Sequence, residues 1–298
     1  MRFQSQYMMD YFDYLEVLVG QKQQPTRALV EHEIPEMLAR AEQYLAALAM
    51  STGLTRHSWD QDTACAMIAC YESPTEVLKH LKDVCFENLA LENVVNIQRC
   101  PYCMLCEPHT WDHFLPKARY PEFAVFHRNL VYVCWQCNHQ KDDDYSEVRL
   151  EFLHPSFTVD PVIPLLHCKV QVTGKNLSIR FYCALHNAND ERANVAKRHA
   201  KNLDLFRRYQ LESASLFSSF IGDLARDCPN GIAESNWVAS VTHRFQRVSD
   251  DLGPNAWEAR FWNGILCCND IHKYANARIR AHKPNIRQGA EIVAPLEN

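Results

Sequence analysis

Cys100-Pro-Tyr-Cys103 and Cys134-Trp-Gln-Cys137, thirty residues apart, constrain this chain more than any other feature. Two CxxC turns can present four thiolates to one ion, and tetrahedral zinc with sulfur ligands at about 2.3 Å is the usual occupant. The intervening stretch is longer than a minimal zinc ribbon needs, so something is inserted between the knuckles. Cys106 also stands at CxxC spacing from Cys103. Cys103/Cys106 is therefore an alternative first knuckle, although Pro101-Tyr102 favours Cys100/Cys103 as the tight turn.

The remaining composition is ordinary. The chain has 298 residues, 47% hydrophobic and 22% charged, enough for a sizeable core. Thirteen cysteines is an odd number, and no secretory leader is evident, so metal ligands and buried thiols are expected rather than disulfides. Cys65, Cys70, Cys85, Cys168, Cys183, Cys228, Cys267 and Cys268 read as small core residues. No apolar run reaches the roughly 18 residues of a membrane span, and the expectation is a soluble, cytoplasmic protein. A net charge of −5 argues against a nucleic-acid coating protein, so any such contact must be local or supplied by a partner.

The expected fold class is α+β, mostly helical, with a small β-rich module embedded in it. Residues 1–97 read as a helical region. Ser73-Pro-Thr-Glu76 looks like a capping box, followed by Val77, Leu81, Val84 and Leu89 at helical spacing. Ile34, Leu38, Ala41, Leu45 and Leu48 form an earlier stripe. Residues 98–150 form the module, with strand-like runs at Phe123–Phe126 and Leu130–Val133 and a helix expected from Asn138. Residues 151–186 read as a β-hairpin extension, Val170–Val172 and Leu177–Tyr182 flanking Thr173-Gly-Lys-Asn176. Residues 187–298 return to helix. One stripe runs from Val195 to Leu224 and another from Trp257 to His272, with a loose tail from Arg278. Basic residues Lys197, Lys201 and Arg208 share a helical face, which suggests a phosphate groove or simply a solvated surface.

Between the knuckles stand Asp112-His-Phe-Leu-Pro-Lys117, Tyr120-Pro121 and Asn129-Leu130; Asn138-His-Gln-Lys141 follows the last cysteine. Together with the knuckles, these residues resemble the HNH (His-Me finger) endonucleases. The resemblance covers roughly a sixth of the chain and agrees in order and spacing. It implies two strands and a helix around one catalytic ion, stapled by structural zinc on Cys100, Cys103, Cys134 and Cys137. It further implies His113 as general base, Asp112 and Asn138 as ligands of Mg²⁺ or Mn²⁺, and Asn129 as the brace that orients the base. Lys117, Arg119 and Lys141 would be phosphate contacts. The chemistry is consistent: histidine is the natural base near neutral pH, and a carboxylate with an amide oxygen suits a hard ion that keeps its waters. Asparagine at the third signature position departs from the plainest pattern and favours Mg²⁺ or Mn²⁺ over a second zinc. His139 is adjacent, but one residue turns a helix by about 100°, so it cannot face the same ion. His109, His127, His154 and His186 have no partner pattern and read as structural.

A second similarity is to HNH proteins of bacterial anti-phage systems of the Septu type and to retrons with Septu-like effectors. Its residues are Asp112 to Pro121, Leu153-His-Pro155, Arg198-His199, Leu203, Arg208 and Tyr209. It implies a nuclease held by an ATPase of the ABC/SMC kind and, in the retron case, a reverse transcriptase with its RNA and DNA. Two alternatives stay open: a non-catalytic zinc module that binds nucleic acid or protein, and a stand-alone restriction-type nuclease. The choice of DNA or RNA target is not legible.

Overall fold

The computed structural model describes residues 10–83, 99–155, 164–184 and 191–282. It is mostly helical, with two small antiparallel sheets. Val84, Cys85, Leu89 and His186 lie outside the described residues, as does the tail from 283 onward.

Helices α1 (Tyr11–Gly20), α2 (Thr26–Met50), α3 (Gln61–Glu72) and α4 (from 76 to the edge of the described residues at 83) form the N-terminal layer. Asp10 caps α1 by accepting from the Phe12 N–H, and Asp60 caps α3 by accepting from the Thr63 N–H. The cap of α4 is Thr75, whose Oγ1 accepts from the Leu78 N–H, so the expected Ser73 capping box does not form and Pro74 stays outside the helix. The buried face of α2 runs Val30, Ile34, Met37, Ala41, Tyr44 and Leu48. Leu38 and Leu45 are only partly covered, because the large side chains Met37 and Tyr44 take the core positions.

Strand β1 (Thr110–His113) pairs antiparallel with β2 (Leu130–Val133), Asp112 opposite Val131 and His113 opposite Leu130. Helix α5 (Trp135–Lys141) follows at once. It starts three residues earlier than expected, because Cys134 is its N-cap and Asn138 N–H already donates to Cys134 O. The run Phe123–Phe126 is not a strand. Pro121 opens a 3-10 turn, and N–H groups of Phe123, Ala124 and Phe126 donate to Tyr120, Pro121 and Phe123 carbonyls. That turn is held to α2 by a fully buried Glu122, which accepts from Arg40 Nε at 3.1 Å and from Trp59 Nε1 at 3.0 Å.

Strands β3 (Leu166–Thr173) and β4 (Asn176–Cys183) form the expected hairpin, turning at Gly174, whose φ of +61° suits glycine. The hairpin packs into the C-terminal helices. Gly264 approaches so closely that an added Cβ would lie 2.7 Å from Cys168 O. Those helices are α6 (Glu191–Asn202), α7 (Leu205–Asp227), α8 (Glu234–Leu252), α9 (Trp257–Leu266) and α10 (Ile271–Ala281). The two long stripes read from sequence are each split in two. Leu203-Asp204 separates α6 from α7, with Asp204 at φ +49°, and α10 begins anew at Ile271. Arg278 lies inside α10 rather than in a loose tail. Cys65 and Cys267 are exposed, not core residues. No described helix is long and apolar enough to cross a membrane.

The main core is continuous from Ala41 through the knuckle cysteines, the hairpin and the C-terminal helices, while a second cluster joins α1–α4 to Val125 and Leu130. The module therefore lies between two helical masses and contributes to both cores.

A candidate metal centre and the cleft beside it

Cys100, Cys103, Cys134 and Cys137 are buried, and their sulfurs all lie within 4.8 Å of one another. A tetrahedral zinc with Zn–S of about 2.3 Å needs sulfurs about 3.8 Å apart, and Cys103 and Cys134 stand at 3.9 Å. The first knuckle is built by Met104 N–H donating to Cys100 O and Leu105 N–H to Cys103 Sγ, with Met104 in the left-handed region at φ +55°. The second knuckle is the N-terminus of α5. Cys106 is exposed and outside the group; its carbonyl accepts from Cys100 N–H. Hydrogen bonds among the packed thiols push Cys103 down to about 6 and Cys134 lower still, and push Cys100 and Cys137 up. The group could hold a structural metal such as zinc, and thiolate is the form that binds it.

The C-terminal helices clasp this centre. Arg208 of α7 donates to Cys137 Sγ at 3.4 Å and Cys106 Sγ at 3.8 Å. His199 of α6 donates Nε2 to Tyr102 O at 2.9 Å while its Nδ1 accepts from Leu153 N–H. Trp257 Nε1 donates to Met104 O. The basic groove considered for α6–α7 therefore does not include Arg208, which is buried against sulfur. Arg198 pairs with Glu191 and Glu151, and Arg207 with Asp204.

Beside the centre, β1 and α5 wall a cleft of about 310 Å³ that Asp112, His113, Lys117 and Asn138 line. His113 Nε2 donates to Ala124 O at 2.9 Å, so Nδ1 carries the lone pair. Burial pushes its pKa down to about 4, against the pull of the Ala124 bond and the Asp112 charge, and Tyr71 of α3 packs on it edge-to-face with ring centroids 4.3 Å apart. The imidazole is neutral at neutral pH. The loop that supplies Ala124 O is braced by Asn129, which is fully buried. Its Oδ1 accepts from Leu115 N–H at 2.7 Å, and its Nδ2 donates to Leu115 O and Phe123 O.

Asp112 is 4% exposed, and both of its oxygens are engaged. Lys141 Nζ donates to Oδ1 at 3.0 Å and Tyr102 OH to Oδ2 at 2.7 Å. Lys141 is the one candidate that the structure contradicts. It is fully buried, its second bond goes to His113 O at 2.8 Å, and it has no access to a phosphate. The cause is packing: one turn beyond Asn138, the inner face of α5 lies over β1. Lys117 borders the cleft and pairs with Glu72, whereas Arg119 is exposed and does not line it. Asn138 donates Nδ2 to Thr110 Oγ1 at 3.3 Å, leaving its oxygen as the end a hard cation would take. His139 stacks on Trp135 at the edge of the same cleft. The donors suit a weakly held divalent ion in type, since each Asp112 oxygen keeps a second lone-pair site. The acidic rim of Asp142 and Asp143 adds to this cation preference.

Tyr102, Tyr71, Thr110 and the Ala124 carbonyl were not visible as site groups in the sequence. Tyr102 lies inside the first knuckle, where spacing suggests only a turn. Tyr71 comes from a distant helix. A larger groove of about 630 Å³ between the α1–α2 and α3–α4 links holds no comparable cluster, and its Lys22 caps the carbonyl end of α3.

The chain is 30% identical over 140 residues to Protein ea31 of Escherichia phage lambda, a match covering 42% of this chain and 44% of that protein. The chain thus spans less than half the length of this curated relative. No family model and no solved structure matches it.

Proposed function

We propose that residues 99–150 form a phosphodiester-cleaving centre of the HNH type that works on nucleic acid with one Mg²⁺ or Mn²⁺ ion. The observation that carries this reading is His113: a neutral imidazole at a cleft, proton fixed on Nε2, lone pair on Nδ1. A base in that state can accept a proton from water at neutral pH. Asn129 and Ala124 hold the ring in one tautomer and one orientation, so no reorganisation precedes proton transfer. Asp112 and Asn138 would hold the ion, which when bound supplies neutralisation of charge on the phosphate and the leaving oxygen. Lys117 borders the cleft where an anion would enter. The cysteine group, carrying zinc, would keep β1, β2 and α5 in register.

A net charge of −5, and the carboxylates that occupy Arg198 and Arg207 on α6–α7, support a nuclease delivered to its target by a partner. An ABC/SMC-type ATPase in an anti-phage complex is the partner we propose. The similarity to a phage lambda protein favours, as a second setting, a phage-encoded nuclease. The test is metal add-back. Protein freed of divalent ions but retaining its zinc should cut nucleic acid again with Mg²⁺ or Mn²⁺. Recovery with neither overturns the reading and leaves a zinc-stabilised binding module.

A further inference from the structure

Helix α5 opens on Trp135, whose side chain is 61% exposed, more than any other large aromatic residue described. Its ring lies parallel to that of His139 one turn on, with centroids 4.8 Å and planes 8° apart. Both rings line the cleft that His113 and Asn138 line. Trp135 stands between Cys134, which caps α5, and Cys137 in the first turn. The knuckle therefore fixes its backbone, and little freedom remains to be lost on binding.

We propose that the Trp135–His139 pair is a stacking platform for an unpaired nucleobase of the substrate strand, beside the phosphate to be cut. This rests on the nuclease reading and names its substrate class. The charge at the cleft argues for it. Asp142 and Asp143 are exposed at the opening, and Lys117 is paired with Glu72. Phosphate attraction alone is then weak, and affinity must come from the divalent ion and from another source. Base–aromatic stacking supplies it and tolerates any sequence, because every base has a π-face. A duplex hides those faces, so the platform selects single strands, ends or flipped bases.

The test is binding of labelled DNA and RNA oligonucleotides to the full chain in a His113→Ala background, where cutting does not interfere. Trp135→Ala should weaken single-strand binding by on the order of 10-fold, about 1.4 kcal/mol. Trp135→Phe should retain most of the affinity, and duplex binding should not change. A single abasic residue walked along the strand should weaken binding at one position in the parent and at none in Trp135→Ala. Because Trp135 is exposed, unchanged zinc content and melting are expected for both variants. Equal affinity in Trp135→Ala, or an equal loss on duplex and single strand, overturns the platform alone. Retained oligonucleotide affinity with loss of a copurifying protein also overturns it and assigns the ring to a protein contact. A parent that binds no oligonucleotide also overturns the platform, while the nuclease reading stands or falls on metal add-back.

Discussion

A lysine ammonium buried against an aspartate is costly to assemble and costlier to break. Lys141 and Asp112, with Tyr102 on the other oxygen, form such a pair beneath the cleft. Lys141→Ala leaves a buried carboxylate without its charge partner and should lower stability by about 3–5 kcal/mol in urea unfolding. A lysine that served only to meet phosphate would leave the unfolding midpoint unchanged. The four knuckle cysteines were legible in the sequence because a CxxC turn is a local pattern. Lys141 was misread because its partner is 29 residues away and only the packing of α5 on β1 brings the two together. His113 and Asn129 were legible as candidates, but the Ala124 carbonyl that holds His113 was not, since Phe123–Phe126 reads as strand and folds as the end of a 3-10 helix and the turn after it.

Among the elements, α7 touches the cysteine centre itself. Arg208 brings a guanidinium to Cys137 Sγ, where its charge stabilises thiolate and its N–H orients the sulfur. Outer contacts of this kind contribute about 10- to 100-fold in metal affinity. Arg208→Met should release zinc to a competing chelator faster by about that factor while the helix content stays the same, and equal release rates would contradict the role. At the other end of the same core, α9 meets β3 through Gly264, where a methyl group would press on Cys168 O. Gly264→Ala should cost about 1–3 kcal/mol through the displaced contact, despite alanine's better helix propensity. A gain in melting temperature would refute that close approach. Hairpin β3–β4 was legible at its turn, because Gly174 and the β-branched residues beside it are local signals, but the first residues of β3, Leu166 to Lys169, were not read as strand. The breaks at Asp204 and before Ile271 were not, because apolar periodicity continues across both.

The whole molecule encloses several histidines that the fold keeps neutral. Burial pushes His127 down to about 3 and His154 and His199 to about 4, against a usual value near 6.5. A folded pKa below the unfolded one means that the unfolded chain binds the extra protons, so each contribution is complete above pH 6.5 and is lost as pH falls toward 4. The ceiling is roughly 3 kcal/mol each for His154 and His199 and roughly 5 kcal/mol for His127. With zinc held in excess, the melting temperature should fall steadily from pH 7 to pH 5, and a flat profile would place these rings in solvent. The fold class was legible in the sequence, and the arrangement was not. Helical content and the embedded sheet module follow from local pattern, whereas the clasp of His199, Arg208 and Trp257 on the knuckles depends on packing between distant segments. At this scale the decisive comparison is phosphodiester cleavage by the wild-type chain and by His113→Ala, each in Mg²⁺ and each with zinc content and melting measured alongside. Loss of cleavage with zinc and melting unchanged is the expected result; cleavage at the wild-type rate would contradict the assignment of His113 as the base.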